Sequence, residues 1–222
     1  MRLRLLFAVF IVIAAACNDS GAESTTDVAI DTMELNKFLA LFKELNVDSL
    51  QIESPDEISE PSDNIFKGVA IDSNYYKFIA TDDVSWVKSA GYNYYACFKK
   101  SLNDSTIMLV MRTPSEYWES SVKIYLLNTR TQKTFDKYEA AESWGDAGDV
   151  MIKTSWLIRN NADYKLITFK NTCWALDYDL DSTECSDSTF YLSIINNKIL
   201  EEKKEETDTN GIYKSLVSKD RV

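Results

Sequence analysis

The residues best suited to chemistry fall in three places. Asp177, Asp179 and Asp181, with Glu184 and Asp187 close behind, crowd carboxylates into one stretch, and a hard cation such as Ca2+ needs clustered oxygens of that kind. Tyr117 and Trp118 follow Pro114, and Trp144 precedes a turn at 145–148 (GDAG). A ring exposed on such a loop stacks on a sugar face; its plainer use is to close the rim of a core. The third group is four cysteines, Cys17, Cys97, Cys173 and Cys185.

What is missing narrows the chemistry further. The chain has no histidine, which excludes Ser-His-Asp and Cys-His nucleophile pairs, HExxH zinc sites and histidine-ligated haem. No Walker loop, G-x-S-x-G or G-x-G-x-x-G occurs. Carboxylate pairs for glycoside hydrolysis are defined by a separation of about 5 to 9 Å, a distance that sequence does not give. The expectation is a non-catalytic protein with no cofactor, calcium being the one metal worth testing; a carboxylate-dependent hydrolase is the catalytic alternative.

The N-terminus decides the compartment. Arg2 and Arg4 precede an apolar run at 5–13 (LLFAVFIVI), then Ala14, Ala15 and Ala16 lead to Cys17. That is the layout of an export signal, with an apolar run too short to span a bilayer. Ile13-Ala14-Ala15-Ala16-Cys17 resembles the lipobox of bacterial lipoproteins. The resemblance implies cleavage before Cys17 and diacylglyceryl transfer to its thiol, although Ala14 stands where leucine is commonest. Ala14-Ala15-Ala16 also reads as an A-x-A site whose cleavage would release a soluble protein at the same bond. Residues 1–16 are thus expected to be a signal peptide and 17–31 a flexible acidic tether.

Asp177, Asp179 and Asp181 resemble the opening of an EF-hand loop, which implies Ca2+ ligation by them. The chain departs from that pattern at Ser182, where the loop has glycine, and at Ser188, where it has a bidentate glutamate. The alternative is an acidic solvent loop tied at its base. If Cys17 is acylated, three cysteines remain. Cys173 and Cys185 flank one polar loop between two expected strands and are the candidate disulfide, leaving Cys97 as a buried thiol in an apolar strand.

Formal charge is −11 over the whole chain, and loss of Arg2 and Arg4 with the signal takes it to −13. A surface that acidic disfavours nucleic acid and anionic lipid, and suits solubility or a cationic partner. About 206 of the 222 residues remain after the signal, read as a single globular domain at 32–222. Leu35, Phe38, Leu39, Phe42 and Leu45 fall at helical spacing and predict one amphipathic helix over 32–46. A strand pair with a turn near Asp72 is expected over 65–80, and a connector with a helical turn near Trp86 over 82–90. Short apolar runs joined by polar turns follow: 92–99, 106–112, 121–128, 133–142, 150–158, 164–176 and 189–200. Residues 201–222 read as a charged tail.

The fold expected is mainly β: an antiparallel meander sheet, sandwich-like or an incomplete barrel, with the N-terminal amphipathic helix packed on it. In function the chain looks like a small envelope lipoprotein of Gram-negative bacteria, lipid-anchored, touching the membrane only through its anchor, with a binding or structural role. Two alternatives carry named partners: a glycan or other envelope ligand on exposed aromatics, or a basic protein such as lysozyme inhibited by the acidic surface.

Overall fold

The computed structural model describes residues 32–55, 64–79, 81–115, 121–146, 149–175, 183–195 and 197–207. Short elements come first: α1 (Thr32–Leu39), β1 (Lys43–Glu44), β2 (Ser49–Ile52), β3 (Val69–Ala70), a 3-10 helix (Ser73–Phe78) and α2 (Thr81–Ala90). The long strands follow: β4 (Tyr95–Asn103), β5 (Thr106–Thr113), β6 (Ser121–Asn128), β7 (Lys133–Asp146), β8 (Asp149–Asn160), β9 (Asp163–Ala175), β10 (Thr183–Ile195) and β11 (Lys198–Thr207). The protein is mainly β, and its strands form one sheet that does not close into a barrel.

Strands β4 to β11 are hydrogen-bonded in chain order, each antiparallel to the next; β3 and β1 flank β4, and β2 pairs with β8. Only β1 runs parallel to its neighbour. Tight connections explain this meander, since parallel neighbours need crossovers of a dozen or more residues. Gln132, Asn161 and Asn197 take φ of 55°, 58° and 61° at three of the turns, and asparagine tolerates this left-handed region better than most residues.

The sheet bends at β7. Residues up to Ala141 pair with β6, and from Glu142 onward with β8. The two halves face each other across a core of Met108, Val110, Val122, Ile124 and Leu126 from one side and Leu157, Leu166, Leu192 and Ile194 from the other. On the opposite face of the first half, Leu109, Met111, Tyr125 and Leu127 join Leu35 and Phe38 of α1, Phe42 just beyond it, Tyr76, Phe78 and Val87. β5 and β6 are therefore covered on both faces, which is why TIMLVMR and SVKIYLLN are almost uninterrupted apolar runs.

The helix expected over 32–46 stops at Leu39. Leu35, Phe38 and Phe42 belong to the outer core, whereas Leu45 belongs to the core inside the bend. A continuous helix could not deliver Leu45 to the far side of the sheet. Instead Lys43 and Glu44 pair with Phe98 and Lys99 of β4, and the Leu45 amide donates to the Lys99 carbonyl at 2.9 Å. The strand pair expected over 65–80 is also replaced: only Val69–Ala70 pairs with β4, and the segment 73–78 turns into the 3-10 helix. Asp72 caps it, its carboxylate accepting from the Asn74 amide at 2.8 Å, a local competition with sheet pairing typical of aspartate. Last, 201–207 is strand rather than tail, because Asn197 turns the chain and lets Lys198–Thr207 pair with β10.

Candidate functional site

The bend of β7 gathers the titratable groups that the sheet buries. Across it the register with β6 shifts, Lys123 facing Glu139 and Val122 facing Ala141, so Ala140 is the extra residue of a β-bulge. Such a residue loses its ladder partners, and an unpaired buried carbonyl is costly. Here Ser155 of β8 donates its hydroxyl to the Ala140 carbonyl, and Ser155 and Thr168, both wholly buried, share a hydrogen bond of 2.6 Å.

The bulge also changes which side chains meet. In a regular strand, residues three apart point to opposite faces. Around Ala140 they do not: the Glu139 and Glu142 carboxyls come within reach of each other, and burial with the Glu139 charge favours the protonated form of Glu142. Glu139 accepts as well from the Lys153 ammonium of β8 and from the Ser121 hydroxyl of β6, the latter at 3.2 Å. Burial alone would raise the Glu139 carboxyl, but Lys153, the Glu142 proton and Lys123 together hold it below the usual carboxylate range. Burial, reinforced by the negative charge of Glu139, pushes Glu142 up to about 7. Nearby, burial pushes the Tyr138 phenol up to about 12, against a hydrogen bond to Thr168 and with Glu201 and Glu139 adding to the rise.

Chemically this is a carboxylate beside a carboxyl that favours its protonated form, with two ammonium groups nearby. Their direct hydrogen bond leaves no room for a glycosidic linkage between the two carboxyls, which glycosidases hold about 5 to 9.5 Å apart. Both oxygens of Glu139 already accept from protein donors. The arrangement suits a fixed junction better than water activation.

The described residues among those singled out by sequence are not gathered at this junction. Trp144 lies on β7 two positions past Glu142, half-buried and opposite Met151 of β8. Tyr117, Trp118, Asp177, Asp179 and Asp181 lie outside the described residues, as does Cys17. Among the described residues no group of three or more Cys, Asp or Glu side chains could hold a metal ion. Glu184 is exposed on β10, and Asp187 accepts from the Asn171 amide at 2.5 Å. Cys173 and Cys185 face each other directly across β9 and β10, their Cα atoms 4.1 Å apart, and are bonded. Cys97 is a buried free thiol, its sulfur 3.4 Å from the Phe66 carbonyl. Spacing alone missed Glu139, Glu142 and Lys153. The one trace of their junction was the small pair Ala140-Ala141 interrupting a strand of larger residues.

The fold defines a mainly β protein built on a bent, open meander with a charged junction at the bend. Compared with protein-family models, with curated proteins and with solved structures, the chain finds no match. Among the described residues, no helix is long and apolar enough to cross a membrane.

Proposed function

We propose that the chain is an exported envelope protein, held to a bilayer by acyl chains on Cys17, whose β domain binds or supports a partner without performing catalysis. The observation that carries the export half is the Cys173–Cys185 bond, because disulfides persist in oxidising compartments and are rare in the cytosol. It is independent of the N-terminal signal from which lipidation is read. The non-catalytic half rests on the bend: its acid pair is consumed by internal hydrogen bonds, and the chain has no histidine to serve as a base. Several acyl chains anchor firmly, each buried CH2 contributing about 0.8 kcal/mol.

Mass spectrometry of the native protein tests the reading. The expected N-terminal peptide begins at Cys17 and carries a diacylglyceryl mass, and Cys17→Ser moves the protein from the membrane to the soluble fraction. An unmodified Cys17 in a chain that keeps Met1 overturns both the anchor and the compartment.

A further inference from the structure

Between Ala141 and Glu142 the strand β7 changes partners, so no single backbone ladder runs through the point where the two halves of the sheet meet. Side chains cross that seam instead. Ser121 of β6 reaches Glu139, Lys153 of β8 reaches Glu139, Ser155 of β8 reaches the Ala140 carbonyl, and Glu142 reaches back to Glu139. We propose that the Glu139–Glu142 pair is a proton-operated latch on this seam: with one proton between them it fastens β7 to β6 and β8, and loss of that proton frees residues 142–146 and the β8 residues they pair with.

The geometry dictates the direction. An ionised carboxylate only accepts hydrogen bonds, so the contact between Glu139 and Glu142 exists only while Glu142 carries a proton to donate. When Glu142 gives that proton to water, two carboxylates meet in a site where Glu142 is only 9% exposed. Lys153 and Lys123 offset this only in part. Lys153 lies directly opposite Glu142 in the ladder, yet its ammonium is engaged by Glu139, and Lys123 lies opposite Glu139. Lys123 from β6, Glu139 and Glu142 from β7 and Lys153 from β8 face one another, Lys170 of β9 lies opposite Lys153, and Tyr138 of β7 feels the Glu139 charge. A buried charge without its own partner is expelled toward water, and the route is separation of the short Glu142–Lys153 to Asp146–Asp149 ladder.

The sign follows from linkage. Glu142 titrates at about 7 when the seam is closed, against an ordinary 4.5. Opening therefore releases a proton between those values, and the opening constant climbs by up to about tenfold per pH unit there, levelling off above neutrality. Latching is complete below the ordinary value and lost as pH rises toward about 7. The signal is clean because the chain has no imidazole to titrate in the same window.

Amide hydrogen exchange on the full chain, corrected for the intrinsic rate, reads the opening directly. Protection of residues 142–146 and 149–153 is expected to fall by about two orders of magnitude between roughly pH 5 and pH 8, while β5 and β6 stay protected. In Glu142→Gln, whose amide donates at every pH, that difference is expected to vanish. Carbon-detected NMR of the Glu142 carboxyl in the unmutated protein keeps the test decisive should the variant fold poorly: it should titrate near neutrality, in step with the loss of protection. A carboxyl that titrates at an ordinary value, protection that does not change with pH, or a Glu142→Gln chain that responds as the parent does would each overturn the latch.

Discussion

Gly68 shows how narrowly single positions are constrained near β4. Its φ is +67°, and a Cβ there would stand 2.9 Å from the Ala96 carbonyl oxygen and 3.1 Å from the Cys97 sulfur. Gly68→Ala combines left-handed strain with a clash against backbone, so it is expected to cost roughly 1 to 3 kcal/mol, seen as a lower denaturant midpoint. Cys97 itself is inert for a related reason: burial pushes its thiol up to about 11, only partly offset by Arg112 and Lys43. Because the thiolate is the reactive form, iodoacetamide at about pH 8 should label the Cys97 peptide after denaturation and leave it unlabelled in the native protein, as read by peptide mass. Sequence makes Cys97 legible as a small core residue, since it sits in an apolar strand. It does not make the Glu139–Glu142 contact legible, because period-two logic separates them and only the bulge at Ala140 brings them together.

Elements were legible where one face of a repeat is buried and obscure where a segment is shared between two cores. The stripe from Leu35 to Leu45 reads as one helix, yet the chain divides it between the two sides of the sheet. The alternation of Val150, Ile152, Thr154 and Trp156 in β8 is visible in sequence, but of that set only Thr154 is buried, alongside Met151, Ser155 and Leu157, and Val150 is 39% exposed. Leu157 packs in the inner core and Ser155 closes the Ala140 bulge, so they fix which face turns inward. Phe38 anchors α1: it is wholly buried, with ring centroids 5.2 Å from Phe42 and 5.1 Å from Phe78. Phe38→Ala should therefore cost about 3 to 5 kcal/mol in urea unfolding, and a loss under about 1 kcal/mol would mean that α1 contributes little to the fold. A second element-level joint is the Asp136 carboxylate of β7, which accepts from the Ile199 amide of β11 at 2.9 Å. Asp136→Ala is expected to cost about 1 to 3 kcal/mol, the range for a charge-assisted hydrogen bond, with faster amide exchange at Ile199.

At the scale of the whole molecule, the meander was legible because short polar turns between apolar runs leave antiparallel pairing as the economical connection. The bend was not, since it depends on one strand changing partners midway. That bend also decides what the disulfide does. The inner and outer cores hold β4 to β10 and the helices together without a contribution from Cys173 or Cys185, which join β9 to β10 at the end of their ladder away from the Asn197 turn. The bond should therefore act mainly by restricting the unfolded chain. Its two cysteines are 12 residues apart, and closing a loop of that size is worth roughly 3 kcal/mol in the chain-entropy model. A Cys173→Ala, Cys185→Ala double variant is thus expected to lose about 2 to 3 kcal/mol in urea unfolding while keeping a single cooperative transition and the near-ultraviolet circular dichroism of a packed core. If the variant instead loses near-ultraviolet signal and unfolds gradually, the far end of β9 and β10 is part of what defines the fold. The two cores would then be insufficient without the covalent tie.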